Sequence, residues 1–230
     1  MIFPTIYHRF FTEKGVPVFV FEKHNFAFPI WGHISNCCNC PCTLITFDRH
    51  ADTHSPFAST RESEGDAEYF SRVERLRDLK RSFAFESAFR VCLELKNDEH
   101  VKAAYCCNWI NSYHVLCSLD QFECEEYRSL DLDESYSDVH YVTRCEAPDY
   151  IKRFSSTLGT RNIILDFDLD YFSEPADFSD DLFEPIKTIM DDVGAVTVAL
   201  EEWHFNQMCS ADFSVEQATR LLFEKLSIRK

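Results

Sequence analysis

The chain has 230 residues, 45% of them apolar and 22 of them phenylalanine, which is enough for one sizeable hydrophobic core. Its net charge of −16 argues against nucleic-acid binding, because phosphate contacts need clustered Lys and Arg side chains. No apolar run approaches the roughly 20 residues that cross a bilayer, and the first residues do not resemble a signal peptide. We therefore expect a single domain over residues 1–230, soluble and cytoplasmic, whose eleven cysteines are mostly thiols.

Short apolar segments of β character alternate with helical segments along the chain. The patterns predict strands at residues 18–21, 43–47, 139–142, 162–165 and 195–200. They predict helices at residues 27–34, over most of 65–119, at 149–158, at 182–193 and from Ser214, where a capping box begins. Such alternation is typical of a mostly parallel sheet with helices on both faces.

Two acidic runs follow predicted strands, where α/β proteins place their ligands. The first is Asp48-Arg49-His50-Ala51-Asp52, which comes directly after residues 43–47. Side chains alternate between the two faces of an extended strand, so we expect Asp48, His50 and Asp52 to point the same way.

The second run is Asp166-Phe167-Asp168-Leu169-Asp170, which follows residues 162–165. Its three carboxylates share one face by the same alternation, and its apolar residues pack on the other. Five carboxylates at one sheet edge repel one another unless a cation neutralises them. Oxygen ligands with one or two imidazoles suit Mn²⁺ or a similar ion. The alternative is that these are ordinary strand-end carboxylates that cap helices or pair with lysines.

These runs resemble the metal-binding motifs of the ureohydrolases, the arginases, agmatinases and their relatives. The run from Asp48 to Asp52 is similar to their Asp-Ala-His-x-Asp motif. Residues 165–170 resemble their Ser-Phe-Asp-x-Asp strand end, with Asp166 at the serine position. His24, which lies 24 residues before Asp48, is similar in placement to the first metal-binding histidine of a Gly-Asp-His motif.

The resemblance implies the three-layer α/β/α arginase–deacetylase fold and a catalytic domain with two Mn²⁺ ions. One ion would take His24, Asp48, Asp52 and Asp168, and the other would take Asp48, His50, Asp168 and Asp170. A register shifted by two residues would make Asp166 and Asp168 the ligands instead. We prefer the later pair, because the apolar strand then ends where it does in the family.

The implied reaction is hydrolysis of a guanidinium group to urea and an amine. Asp52 could steady the attacking hydroxide, and a carboxylate must hold the cationic guanidinium. Glu201 and Glu202 occupy a place similar to that of the family's substrate-binding glutamate, although a solvated pair is the alternative. The candidates for moving a proton to the leaving amine are His54, His114 and His204.

The sequence departs from the family at the residues that bind the α-amino and α-carboxylate groups of a free amino acid. His54 stands where arginases have an asparagine, and residues 55–65 contain no Ser-Gly-Asn-x-His loop for the α-amino and α-carboxylate groups. The chain is therefore similar to the peptide arginases, which convert arginine within a precursor peptide to ornithine. Residues 120–149 contain ten Asp or Glu and two Arg. This segment is either a solvated face or an attractive surface for a basic peptide.

Three other interpretations stay open. A small free guanidino compound is an alternative substrate, and a zinc deacetylase of the same superfamily is an alternative enzyme. A non-enzymatic metal-binding adaptor is the third. The cluster of Cys37, Cys38, Cys40 and Cys42 is interpreted as ordinary thiols, since zinc sites normally use spaced pairs and no second pair follows.

Overall fold

The computed structural model describes residues 6–118, 139–157, 162–210 and 212–229. Eight strands in these ranges form one sheet, in the order β5-β4-β3-β6-β7-β2-β1-β8. The strands are β1 (His8–Thr12), β2 (Pro17–Phe21), β3 (Cys42–Asp48), β4 (Ile110–Cys117), β5 (Val139–Thr143), β6 (Ile163–Asp168), β7 (Val193–Ala199) and β8 (Ile228–Arg229). The six strands from β5 to β2 pair in parallel, whereas β1 and β8 form an antiparallel edge.

Nine α-helices in the described ranges cover the two faces of this sheet. They are α1 (Ala27–Cys38), α2 (Ala58–Glu64), α3 (Asp66–Arg81), α4 (Phe85–Cys92), α5 (His100–Cys106), α6 (Ala147–Thr157), α7 (Asp180–Ile189), α8 (Glu202–Met208) and α9 (Val215–Lys225). Short 3₁₀ helices lie at His24–Phe26 and Leu169–Tyr171, among other places. The predicted three-layer α/β/α architecture with a mostly parallel sheet is confirmed.

Each face of the sheet carries its own hydrophobic core, because successive side chains of the buried strands point to opposite faces. On one face, Leu165 and Phe167 of β6 pack with residues of α6, α7 and α9, including Phe183. On the other face, Leu44 and Ile164 pack with α1, α3, α4 and α5. Strands that are buried on both sides explain the continuous apolar runs that predicted them.

The largest error in the predicted elements is β4, which lies in a region predicted to be mostly helical. Seven of its eight residues are buried, yet Asn111, Ser112 and His114 interrupt any apolar run. The helix of the capping box was predicted correctly: the Ser214 hydroxyl accepts from Gln217 N, and the Gln217 side chain accepts from Ser214 N. No helix in the described ranges is both long enough and apolar enough to span a bilayer.

The strand order determines which chain segments meet at the carboxyl edge of the sheet. Strands β3, β6, β7 and β2 are consecutive neighbours and run parallel. Their carboxyl ends therefore bring residues 48, 168, 200 and 22 to one edge, together with the segments that follow. Both acidic runs and His24 lie there.

Candidate metal centre

His24 is at the centre of the acidic cluster. It follows β2 as the first residue of a 3₁₀ helix, and only 1% of its surface is exposed. Its Nδ1 lies 3.4 Å from Oδ2 of Asp48, 3.1 Å from Oδ2 of Asp52 and 3.3 Å from Oδ2 of Asp168. One ring nitrogen thus faces carboxylates from two chain segments.

Asp48 and Asp52 reach His24 in different ways. Asp48 is the last residue of β3, and its Oδ1 accepts from the main-chain N–H of His50 at 2.8 Å. The strand ends there, and Asp52 has a left-handed backbone with φ of 49°. The expected extended alternation through Asp52 is therefore wrong. A turn brings Asp52 back to the cluster, in a conformation that is uncommon for residues other than glycine.

Asp166 lies beneath the cluster rather than beside it. Its Oδ2 accepts from His24 Nε2 at 2.7 Å and from the Thr46 hydroxyl at 3.2 Å. Its Oδ1 accepts from the Thr197 hydroxyl at 2.6 Å, which itself accepts from Trp31 Nε1 at 3.2 Å. Both oxygens are thus occupied in a fully buried position. This geometry favours Asp168 and Asp170 over Asp166 in the choice of register.

Asp168, Asp170 and His50 line the adjoining cavity. Asp168 ends β6, and Asp170 follows in the 3₁₀ helix, where its main-chain N–H donates to Asp168 Oδ1 at 3.3 Å. The His50 side chain is 43% exposed, and its Nδ1 lies 3.9 Å from Asp48 Oδ1. His50 is therefore at the wall of the cavity, in reach of the cluster but outside its buried part.

The electrostatics of the cluster favour a bound cation. Burial raises the pKa of Asp48 well above its usual value, and the nearby carboxylates of Asp52 and Asp168 raise it further. Burial and then Asp168 raise the pKa of Asp170 in the same way. Burial lowers the pKa of His24, but Asp166 and the other carboxylates outweigh that effect and hold it well above its usual value. A proton on His24 and a metal ion would thus compete for the same negative charge.

Unsatisfied polar atoms provide a second test of whether these residues fit a metal ion. Within the described ranges, His24 Nδ1, Asp48 Oδ2 and Asp170 Oδ1 are buried without a hydrogen-bond partner. Ligand atoms of His24, Asp48 and Asp168 all lie within 4.8 Å of one another. Since orphaned buried atoms are costly, and since oxygen and imidazole donors suit ions of the Mn²⁺ type, the residues fit a divalent cation.

Glu201 and Glu202 have different environments. Glu201 follows β7 with φ of 39° and is 8% exposed; its Oε1 accepts from the main-chain N–H of His24 at 3.0 Å. Burial, and next the charge of Asp168, raise the pKa of Glu201 to about 7. Glu202 begins α8 and is exposed, and the cavity is lined by Glu201 and not by Glu202. The structure thus brings only the first of the two predicted glutamates to the site.

The cavity has a volume of about 600 Å³ and opens beside the carboxylates. Two of the three candidate proton carriers line it. His54 lies 3.4 Å from an oxygen of Asp98, measured from Nδ1, and is 61% exposed. His204 lies 3.6 Å from Glu201, measured from Nε2 to Oε2.

The third candidate, His114, is on the other face of the sheet. It pairs with Ile45 across β3 and β4, and its ring nitrogens bond to the hydroxyls of Ser112 at 2.8 Å and Tyr150 at 2.7 Å. Tyr150 belongs to α6, which covers the face opposite the carboxylates. The assignment of His114 as a proton carrier is therefore corrected: the sheet separates it from the cavity.

Two residues near the site were missed by the sequence analysis. His100 begins α5 and is fully buried, and its ring centroid lies 4.4 Å from that of His24, with the two rings tilted by 53°. It forms a second possible metal-binding group with His24 and Asp52, although its Nδ1 already lies 2.6 Å from the Asn97 carbonyl. Asn97 itself donates to Glu201. Neither has a strand end or a motif beside it in the sequence, so spacing carried no signal for them.

The cysteine cluster lies apart from this site. Cys37, Cys38 and Cys40 are exposed, Cys42 is buried, and all ten cysteines of the described ranges are free thiols. Neither of the two groups that could hold a metal ion in the described part of the chain includes a cysteine. Most of the acidic segment, residues 120–138, lies outside the described residues.

Comparisons with known proteins agree with this architecture. A hypothetical agmatinase from Burkholderia thailandensis superimposes with a TM-score of 0.51 at 12% identity, over 91% of this chain and 57% of that chain. Arginase from Medicago truncatula superimposes with a TM-score of 0.50 at 13% identity, over 93% of this chain and 60% of that chain. No protein-family model and no curated protein sequence matches.

The chain thus spans less than two thirds of the length of either structural neighbour. At 12–13% identity the likeness establishes the fold and leaves the activity to be argued from the site. Its mostly parallel sheet with helices on both faces agrees with that likeness. This chain has the α/β fold of the arginases and agmatinases.

Proposed function

We propose that this chain is a metal-dependent hydrolase that converts arginine residues in a peptide to ornithine, with release of urea. The observation that supports this proposal most is the cluster around His24, where one ring nitrogen lies within 3.4 Å of three carboxylates. A buried cluster of this kind needs a cation, and the neighbouring cavity is lined by a buried glutamate, Glu201, suited to a guanidinium group.

The proposed cofactor is a pair of Mn²⁺ ions. His24, Asp48, Asp52 and Asp168 would hold one ion, and Asp48, His50, Asp168 and Asp170 would hold the other. Two such ions supply a nucleophilic water at neutral pH and orient it toward the substrate. The different exposure of His24 and His50 supports two positions, one in the buried cluster and one at the cavity wall.

The protein's own groups would divide the remaining work. Glu201 accepts from the guanidinium through Oε2 and thereby holds its carbon beside the carboxylates. Asp52 accepts a hydrogen bond from the attacking water, since its Oδ2 is on the same side of His24 as Asp48 and Asp168. His54, which lies on the cavity wall beside Asp98, gives a proton to the nitrogen that leaves as the ornithine amine.

A peptide substrate is supported by what surrounds the cavity. The cavity is open, and His54 stands where arginases place an asparagine for the free amino acid. An arginine inside a chain presents no free α-carboxylate, so the missing loop is no disadvantage. The acidic composition of residues 120–149 favours the approach of a basic peptide, with an attraction that salt screens over about 8–10 Å.

The deciding experiment measures urea release by the Mn²⁺-loaded protein from a basic peptide with one internal arginine, from free arginine and from agmatine. We expect the peptide to react fastest, with activity falling as salt rises, and mass spectrometry to show the arginine losing one cyanamide unit. The Asp168→Asn variant serves as the inactive control. Equal turnover of free arginine would replace the peptide by a small guanidino substrate. Metal binding without urea release would favour the adaptor, and a single bound zinc with deacetylase activity would favour the deacetylase.

A further inference from the structure

Two donors converge on a single oxygen of Glu201. Oε1 of Glu201 accepts from Asn97 Nδ2 at 2.5 Å and from the main-chain N–H of His24 at 3.0 Å. One donor comes from the segment after β2, and the other from the turn between α4 and α5. Three separate chain segments therefore meet at this carboxylate.

The surroundings of Asn97 hold it in place. Its carbonyl lies 2.6 Å from Nδ1 of His100, whose ring is fully buried between those of His24 and Trp31. The turn is closed by the side chain of Glu99, which accepts from the main-chain N–H of Lys96 at 3.1 Å. Asn97 is thus a fixed donor on a turn that is anchored to the buried side of the cluster.

Both donors bond to Oε1, so Oε2 is the oxygen left for another partner, and it lies 3.6 Å from Nε2 of His204. A guanidinium that donates to Oε2 is held in one place only if the carboxylate itself keeps one orientation. The left-handed backbone of Glu201 alone does not determine its side-chain rotation, and one amide donor leaves the carboxylate free to pivot.

We propose that Asn97 is a positioning residue that orients Glu201 for guanidinium binding, and so determines the affinity of the cavity for its substrate rather than the rate of the chemical step. This inference rests on the proposed function, in which Glu201 is the guanidinium anchor. It assigns a role in substrate recognition to the turn at residues 96–99.

The test uses the Mn²⁺-loaded protein and the variants Asn97→Ala, Asn97→Asp and Asn97→Ser. KM and kcat are measured from urea release, and calorimetry with arginine amide on chelator-treated protein gives a binding constant that does not depend on turnover. Asn36→Ala is the matched control, because Asn36 is exposed on α1 and does not line the cavity. Thermal unfolding of each variant shows whether it is folded.

We expect Asn97→Ala to raise KM and the dissociation constant of arginine amide by roughly 10-fold or more, the usual effect of losing a hydrogen bond to a charged group. Its kcat should stay within about twofold of the original, which is small beside that loss. Asn97→Asp should bind more weakly still, since it sets a second carboxylate against Glu201. Asn97→Ser keeps a donor and should lie between Asn97→Ala and the unchanged protein.

Unchanged KM and binding in folded Asn97→Ala, or a fall in kcat alone, would overturn the inference while the proposed function stands. If Asn97→Ala does not fold, the same comparison of the change in KM with the change in kcat is made on Asn97→Ser and Asn97→Asp. If the unchanged protein releases no urea and binds no arginine amide, the proposed function fails, and the role of Asn97 fails with it.

Discussion

Asp166 accepts a hydrogen bond from Nε2 of His24 at 2.7 Å, while Nδ1 of the same ring faces Asp48, Asp52 and Asp168. Once a metal ion displaces the other proton of this ring, the proton that Asp166 holds on Nε2 would leave Nδ1 as the lone-pair nitrogen. Asp166 thereby fixes both the tautomer and the orientation of the ring. In the motif that this run resembles, a serine occupies the place of Asp166. In this chain a charged carboxylate therefore accepts the hydrogen bond from His24.

Replacing Asp166 should weaken metal binding. We expect Asp166→Asn to lower the affinity for Mn²⁺ by about 10–100-fold, the usual effect of removing an outer-shell partner of a ligating histidine. Titration calorimetry on protein stripped with a chelator measures this. The exposed Asp191, replaced in the same way, is the control. An affinity equal to that of the control would show that Asp166 does not orient a ligand.

The stability of the metal-free protein should depend on Glu201 and on pH. The folded-state pKa of Glu201 is raised from 4.5 to about 7, so its contribution is fully present below pH 4.5 and is lost as the pH rises through about 7. That loss amounts to at most about 3 kcal/mol. The glutamine in the Glu201→Gln variant cannot ionise, so this variant does not lose that stability as the pH rises.

The measurement is the free energy of unfolding of chelator-treated protein at pH 4.5 and pH 8. The Gln variant should gain stability relative to the unchanged protein between these two values, whereas Glu202→Gln, at the exposed start of α8, should show no such gain. If the free energy of unfolding changed equally with pH in Glu201→Gln and in the unchanged protein, burial would not raise the pKa of Glu201.

Proton transfer should depend on His54 and not on His114. His54→Asn removes a group on the cavity wall, and we expect kcat to fall by about 10²-fold or more. His114→Asn changes a histidine on the opposite face of the sheet. It should leave the kcat of folded protein within about twofold, as expected of a residue that takes no part in the reaction. Steady-state kinetics, normalised to folded protein by circular dichroism, give both values. The reverse result would restore His114 as the proton carrier.

Gly32 allows α1 to approach the turn that precedes β4. A Cβ at this position would lie 2.7 Å from the Trp109 ring and 2.8 Å from the Phe83 ring. Alanine gains about 1 kcal/mol of helix propensity, but overpacking costs typically 1–3 kcal/mol. We expect Gly32→Ala to be destabilised by about 1 kcal/mol in urea unfolding, whereas Asn36→Ala near the exposed end of α1 should not be. Equal stability would mean that the two rings move aside freely.

The sequence alone determined the elements that carry Asp48 and Asp168. An apolar run that is buried on both faces, followed at once by carboxylates, predicts a strand end in a parallel sheet. The strands predicted to end at residues 47 and 165 end at Asp48 and Asp168. The local chemistry of such a run does not depend on the rest of the chain, which is why these two positions could be predicted.

Only the tertiary structure decided how the other groups meet. Asp166 reaches His24 because β6, β7 and β2 are neighbours, an order that no local pattern encodes. Asp52 returns to the cluster through a left-handed turn, and His114 is separated from it because β4 presents that side chain to the opposite face. Which of Glu201 and Glu202 lines the cavity depends on the backbone angle at Glu201. These relationships arise from packing between distant segments, whereas sequence patterns report the periodicity of one segment at a time.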